Sequence, residues 1–300
     1  MEIPFFWIDV FAERPLEGNP LPLVPDADGL TDEQLRAIAR EFNQSETTFV
    51  CLPGDPRAEV RLRSFTPAGV EVGGAGHNAM GAWIWLAGSG RLERGRADFV
   101  QQIGDDLLPV HATVGGADGV VRVTMEQSAP RFPRRTAPTE ALAAALGIGV
   151  DGLSADGRPE VGSTGAEHLL VPASSVQAVD AAVPDHAALK AVLAGAGAEG
   201  CYLYTTAVDR ASGMHAYARF FNPTVGIAED PATGTAAGPL AARLVRDGLA
   251  SGGRTAGAST IVIEQGRSMG RASRILVTVD GDRVALTGSG VVSAAGTLFL

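Results

Sequence analysis

HNAMGAWIWLA, residues 77–87, is apolar on every side when it is drawn as an α-helix. A helix without a polar face is buried all round, so the rest of the chain has to supply a complete shell for it. A second segment, residues 235–245, begins in the same way and becomes amphipathic where Arg243 appears. Each segment directly follows a glycine, Gly76 or Gly234. The sequence therefore predicts two central helices, each enclosed by other elements.

Most of the remaining chain alternates polar and apolar residues in short runs, punctuated by glycine and aspartate. Period-two alternation of this kind predicts strands joined by turns, in a mostly antiparallel sheet. The clearest runs are residues 60–65, 120–125, 215–220, 275–279 and 284–286.

Two amphipathic surface helices are also predicted. Thr31 and Gln34 have the spacing of a capping box, ahead of a helix that stops at Asn43. Asp185 is placed to cap a further helix that ends at Gly195.

A Phe-x-Pro tripeptide lies ahead of each buried helix. Phe65-Thr66-Pro67 precedes Gly76, and Phe221-Asn222-Pro223 precedes Gly234, about half the chain away. One strand, loop and buried helix in each half indicates an internal repeat. The predicted fold class is therefore α+β, with two pseudo-symmetric domains, each a mostly antiparallel, barrel-like sheet around a central helix.

A chain of 300 residues is long enough for two such domains. We expect an N-terminal domain of residues 1–115 plus 289–300 and a C-terminal domain of residues 116–288. The 24 basic and 34 acidic residues give a net charge of −10, which disfavours a nucleic-acid partner and favours a small molecule.

Few features of the chain point to export, to a membrane or to a metal. The two cysteines lack the C-x-x-C spacing, so neither a disulfide framework nor a zinc ribbon is indicated. The N-terminal segment has no signal-peptide pattern, and no apolar run reaches the roughly 18 residues of a membrane span. We expect a cytoplasmic protein without a membrane partner. The histidines other than His77 lack metal-ligand spacing and are His111, His168, His186 and His215.

Polar residues cluster at the start of both buried helices, where backbone N–H groups favour an anion such as a carboxylate. A site of this kind needs a group that moves protons. Glu46 is the first candidate; the alternative is a surface glutamate at the start of a strand. His77, at a helix N-terminus, is either a neutral proton relay or a buried hydrogen-bonded histidine. Asp230 either holds a substrate amine or caps the loop before the second helix.

Several segments, in this order along the chain, resemble the PhzF family, the phenazine-biosynthesis isomerase-like proteins related in fold to diaminopimelate epimerase. They are DVF at 9–11, EGNPL at 17–21, NQSETTF at 43–49, FTP at 65–67, GH at 76–77, EDPATGTA at 229–236, EQG at 264–266 and MGR at 269–271. The resemblance implies an active site in a cleft between two domains, a homodimer and no cofactor.

The resemblance also implies a mechanism, in which Glu46 removes a proton beside an activated carbon and returns it elsewhere on an allylic system. It implies that His77 and Asp230 hold polar groups of the substrate, and that the Gly76 and Gly234 amides lie near its carboxylate. The full predicted set is catalytic Glu46, His77 and Asp230, with substrate-binding Ser45, Gly76, Asn78, Gly234 and Thr235.

The chain departs from the family pattern at the glycine-rich residues 73–76, at Asn78 and at Thr235. These positions line the predicted pocket, so the substrate stays open. The predicted function is a cofactor-independent isomerase that shifts a proton and a double bond in a small, amino-substituted carboxylate of secondary metabolism, such as antibiotic biosynthesis. A single-centre epimerase of an amino acid-like substrate and a catalytically silent metabolite-binding protein are the alternatives.

Overall fold

Strands outnumber helices in the computed structural model, which describes residues 1–114, 120–249, 254–255 and 257–300. The chain forms two units, Met1–Glu126 with Thr287–Leu300, and Gln127–Leu286. The predicted boundary between residues 115 and 116 lies outside the described residues.

Residues up to Glu126 supply most of the first unit. Its elements are β1 (Glu2–Val10), β2 (Asn19–Val24), α1 (Asp32–Phe42), β3 (Thr47–Cys51), β4 (Val60–Phe65), β5 (Glu71–Val72), α2 (His77–Gly88), β6 (Asp98–Ile103), β7 (Asp106–Val114) and β8 (Val121–Gln127). Strand β8 pairs antiparallel with β7, which explains why the unit continues to Glu126.

The elements of the second part of the chain begin after residue 138. They are α3 (Thr139–Leu146), β9 (Glu160–Ser163), β10 (Glu167–Pro172), α4 (Val176–Asp180), α5 (His186–Ala196), β11 (Gly200–Thr205), β12 (Ala216–Asn222), β13 (Ile227–Asp230), α6 (Gly234–Arg246), β14 (Arg254–Thr255), β15 (Ala258–Gln265), β16 (Ser273–Asp280) and β17 (Arg283–Phe299). Strand β17 returns to the first unit and pairs antiparallel with β1 from Glu2↔Phe299 to Val10↔Gly290. The predicted strand runs coincide with β4, β8, β12, β16 and the start of β17.

Local sequence signals account for the ends of the surface helices. At α1 the Thr31 hydroxyl accepts from Gln34 N–H and the Gln34 side chain accepts from Thr31 N–H, so the predicted capping box is confirmed. Asn43, with φ 50°, closes this helix as predicted. Asp185 caps α5, but the predicted end at Gly195 is wrong. The helix continues to Ala196 and ends at Gly197, whose φ of 65° favours glycine.

Helix α2 is buried on all sides from His77 to Ala87, as its sequence predicts. It packs against β1, β2 and β7. The approach to the strands is close at Gly81, where a Cβ atom would lie 2.5 Å from Leu21 Cδ2 and 2.9 Å from Val10 Cγ2. A side chain larger than that of glycine therefore has no room at this position.

The same sequence of elements occurs in both units. In the first, β4 pairs antiparallel with β5, α2 follows, and β6 then pairs parallel with β4. In the second, β12 pairs antiparallel with β13, α6 follows, and β15 pairs parallel with β12. Helix α6 is buried over most of its length, like α2. The α+β class with one central helix in each of two similar units is therefore confirmed.

Candidate active site

Glu46 lies between α1 and β3, directly before a strand whose residues are all buried. Only 19% of its side chain is exposed, so it is not the surface glutamate of the alternative interpretation. Strand β3 is fixed by antiparallel pairing with β4, from Thr47↔Phe65 to Cys51↔Arg61. This pairing fixes the strand that directly follows Glu46.

The Glu46 carboxyl faces His77, the first residue of α2. Glu46 Oε2 lies 3.2 Å from His77 Nε2, and Ser45 Oγ lies 3.5 Å from the same nitrogen. The carboxyl–imidazole contact is not aligned as a hydrogen bond, and the buried Oε2 makes none within the part of the chain that the structure describes. The structure therefore brings Ser45, Glu46 and His77 together around one imidazole nitrogen.

Burial raises the pKa of Glu46 from 4.5 to about 7, and the hydrogen bond from the Ser45 side chain opposes this rise. At neutral pH the carboxyl group is then present in both its protonated and its ionised form. A group in this state can both take up and release a proton without a large barrier. The geometry therefore suits general acid–base chemistry.

The glycine-rich residues 73–76 are held by Asn78. Its amide nitrogen donates to Gly74 O at 3.0 Å and to Ser64 Oγ at 3.1 Å, and its Oδ1 accepts from Gly76 N–H at 2.7 Å. Both Asn78 donors and the Gly76 N–H are thus used within the first unit. The predicted contacts of Asn78 and Gly76 with a substrate stay predictions, and the structure gives Asn78 the role of holding the loop ahead of α2.

Asp230 ends β13 in the second unit and is buried, with 8% exposure. Its Oδ2 accepts from the Thr233 hydroxyl, so Asp230 does constrain the loop before α6, which was one of its two interpretations. Its predicted role in holding a substrate amine stays a prediction.

Gln265 fixes the same loop and was not singled out by the sequence. It donates to Asp230 O at 2.7 Å and to Thr233 Oγ1 at 3.1 Å, and its Oε1 accepts from Thr233 N–H at 3.2 Å. Tyr202 OH also donates to Gln265 Oε1, at 2.9 Å. The EQG motif of the resemblance was the signal available for it.

Gly234 and Thr235 begin α6. A Cβ atom at Gly234 would lie 2.4 Å from Leu286 Cδ2, so a side chain is excluded there. Thr235 Oγ1 lies 3.0 Å from Nε2 of the buried His168, a residue that the sequence left without a role. Their predicted contacts with a substrate stay predictions.

The two cysteines lie in strands, one in each unit. Cys51 lies in β3 and Cys201 in β11; both are free and buried, and burial raises the pKa of each thiol. Among the described residues, no group of three or more His, Cys, Asp or Glu side chains is placed to hold a metal ion. Within those same residues, no helix is both long and apolar enough to cross a membrane.

The repeated arrangement of a sheet around a buried helix defines the diaminopimelate epimerase-like class of fold. A hydroxyproline epimerase from Agrobacterium vitis, 13% identical, matches 99% of this chain and 91% of its own with a TM-score of 0.60, a likeness that concerns the fold alone. The family model described as phenazine biosynthesis-like protein, PhzC-PhzF, matches residues 8–296. The chain belongs to this family.

Curated and solved relatives agree with this assignment. The chain is 35% identical over 98% of both sequences to a protein of Pseudomonas aeruginosa named trans-2,3-dihydro-3-hydroxyanthranilate isomerase. It is 31% identical to an uncharacterized isomerase of Bacillus subtilis, over 95% of this chain and 94% of that one. The crystal structure of a PhzF-family protein from Bacillus anthracis, 28% identical, covers 100% of both chains with a TM-score of 0.89. The chain is therefore a PhzF-like isomerase.

Proposed function

We propose that this isomerase shifts a proton, and with it a double bond, in a small carboxylate-bearing and amino-substituted metabolite, without a cofactor and with Glu46 as the general acid and base. One observation carries the proposal. The Glu46 carboxyl is largely buried beside His77, with a pKa of about 7.

A single carboxyl group is sufficient for this reaction. The Glu46 carboxylate takes a proton from a carbon next to the double bond, and the C–H electron pair becomes the new double bond. The electrons of the old double bond then take a proton from the Glu46 carboxylic acid, at the far end of the allylic system; the acidic hydrogen of this partly exposed group exchanges with water between the two transfers. No electrons are gained or lost, so the step needs no oxidant, and a pKa near 7 suits both halves of it.

His77 supports the carboxyl group in this proposal. Its Nε2, 3.2 Å from Glu46 Oε2, can donate to the carboxylate or to a polar group of the substrate. Its place as the first residue of α2 keeps this nitrogen beside the Glu46 carboxyl group.

The first compound to test is trans-2,3-dihydro-3-hydroxyanthranilate, because relatives from three Pseudomonas species carry the name of its isomerase. It has the carboxylate and the amino group that the proposal requires. The reaction is run in D2O and the product is followed by NMR. Deuterium at a new carbon is expected from the shift. Deuterium only at the starting carbon indicates an epimerase, and binding with neither conversion nor deuterium in the ligand indicates a silent binding protein.

Glu46→Gln tests the role of the carboxyl group, because the glutamine amide has nearly the same shape as the carboxyl group but cannot transfer the proton. We expect kcat to fall by about 10²–10⁴-fold. Glu41→Gln is the matched control, the same change at an exposed position of α1, and is expected to leave kcat unaltered. A folded Glu46→Gln protein that retains the activity of the control overturns the assignment of Glu46.

A further inference from the structure

His168 is built into the interior of the second unit. It lies in β10, has 2% exposure, and pairs with Gly200 on one side and Gly162 on the other. Its ring meets Phe220 edge to face at 5.0 Å. A Cβ atom at Gly200 would lie 2.4 Å from Phe220 Cζ and 3.3 Å from His168 Nδ1, so the absence of a side chain at Gly200 leaves the space for these two rings.

The imidazole makes one hydrogen bond within the described residues, between Nε2 and Thr235 Oγ1 at 3.0 Å. The other ring nitrogen, Nδ1, is buried without a partner there. Burial lowers the pKa of His168 to about 4, so the ring is neutral at pH 7 and carries one N–H. Buried donors without a partner are rarer than incompletely satisfied acceptors, so the hydrogen belongs on Nε2.

This tautomer decides whether the Thr235 hydroxyl is free to donate its hydrogen to a ligand. If Nε2–H donates, Thr235 Oγ1 accepts, and its own hydrogen points away from His168. Thr235 is partly exposed at the second position of α6, a helix of 13 residues that has no side-chain cap. A hydroxyl donor at such a helix N-terminus is complementary to a carboxylate.

We propose that His168 is a positioning residue, which holds the Thr235 hydroxyl so that it donates to the carboxylate of the substrate. The proposal rests on the proposed function and on the predicted contact of Thr235 with the substrate. A purely structural role explains the observations less well. The neighbours of His168 along β10 are Leu169, Leu170 and Val171. An apolar side chain at position 168 as well would avoid the free-energy cost of burying a polar ring.

The first test is the tautomer of His168, read from the 15N NMR spectrum of the protein labelled in histidine. Nε2–H is expected, with resonances that shift in Thr235→Val and much less in Thr235→Ser, which keeps the hydroxyl. An Nδ1–H tautomer overturns the proposal. This measurement needs no turnover, so it stands apart from any failure of Glu46 as the catalytic group.

The second test uses binding of trans-2,3-dihydro-3-hydroxyanthranilate. Its Kd is measured by calorimetry on the Glu46→Gln protein, so that turnover does not interfere. We expect His168→Leu to raise Kd about tenfold, the effect of a lost hydrogen bond to a charged group. His168→Gln, which returns an N–H near the position of Nε2, is expected to recover most of the affinity.

The double variant separates positioning from folding. His168→Leu added to Thr235→Val is expected to raise Kd no further than Thr235→Val alone, because both act through one hydroxyl. Additive effects of the two changes, or an unaltered Kd in a folded His168→Leu protein, overturn the proposal. Melting temperatures recorded for the same proteins identify any variant whose weaker binding reflects unfolding.

Discussion

At the scale of single residues, the environment of Glu46 suits proton transfer but lowers the stability of the folded protein. Its Oε2 is buried without a hydrogen bond among the described residues, an environment that disfavours the ionised carboxylate. The resulting pKa of about 7 suits proton transfer. The same environment destabilises the fold at any pH where the carboxyl is ionised.

The stability of the protein is expected to depend on pH through this group. The folded protein keeps the Glu46 proton up to about pH 7, whereas the unfolded chain releases it near pH 4.5. The unfolded state therefore binds fewer protons between these values, and the free energy of unfolding falls by about 3 kcal/mol as the pH rises through this range. Glu46→Gln lacks this loss, so above pH 7 the variant is more stable than the wild type by up to about 3 kcal/mol.

Urea denaturation at pH 4.5, 6 and 8 checks this expectation, with Glu41→Gln as the control that follows the wild type. The difference in unfolding free energy between Glu46→Gln and the wild type should grow with pH and level off above about pH 7. Parallel curves for the two proteins contradict a raised pKa at Glu46.

What the sequence predicts of the site is the type of chemistry rather than the environment of each group. Glu46 and Asp230 are recognisable from their motifs, and the hydrogen bond from the Thr233 hydroxyl to Asp230 is local, but the environment of Glu46 depends on residues distant in the chain, such as His77. His168 was missed because it sits in an apolar strand and its partner Thr235 is 67 residues away. Contacts between residues so far apart in the chain are set by strand pairing, and a single sequence does not reveal them.

At the scale of elements, α2 depends on one glycine. Alanine is usually favoured over glycine inside a helix by about 0.5–1 kcal/mol. At Gly81 the added Cβ would lie 2.5 Å from a methyl group of Leu21 and 2.9 Å from one of Val10, both fully buried, so the core packing must shift to admit it. Gly81→Ala is therefore expected to destabilise the protein by about 1–3 kcal/mol, measured by urea denaturation.

Gly88→Ala, at the last position of the same helix, is the matched control. A Cβ atom there meets nothing within 4 Å, so the variant is expected to be neutral or more stable by up to about 1 kcal/mol. Equal effects at the two positions contradict the close approach of α2 to β1 and β2.

Elements with strong local signals were predictable, including their ends. Thr31, Gln34 and Asn43 fix α1 by side-chain capping and a left-handed residue, all of which are local in sequence. The end of α5 was predicted at Gly195, but of the two glycines near this end only Gly197 has a positive φ. Backbone conformation at that point depends on packing as well as on residue type.

At the scale of the whole molecule, the first unit is made from two separate parts of the chain, because β17 pairs with β1. The repeated Phe-x-Pro and glycine pattern was sufficient to predict two similar halves. The homodimer implied by the resemblance stays a prediction.

A change on β17 is expected to act on the first unit. Gly290 pairs with Val10, and a Cβ atom there would lie 2.6 Å from Asp9 O and 2.9 Å from Ile84 Cδ1. Gly290→Val is expected to weaken this pairing by about 1–3 kcal/mol and to speed amide hydrogen exchange in β1, β2 and β17.

The second unit should keep its exchange protection in Gly290→Val, because it has a hydrophobic core of its own, drawn from residues 137–221. Ala295→Val, an exposed substitution on the same strand that favours β-structure, is the control and should leave exchange unaltered. Equal loss of protection in both units contradicts their description as separate cores.

The discontinuous first unit also has a consequence for biosynthesis. Strand β1, with the sequence EIPFFWIDV, is translated first, yet its partner residues in β17 are translated only after the whole of Gln127–Leu286. Throughout that interval the ribosome displays an aromatic strand with an unpaired edge, in which Pro4 is the only residue that cannot donate a backbone hydrogen bond. Such a nascent strand is a natural substrate for chaperones, and slow translation of the second half lengthens its exposure to aggregation.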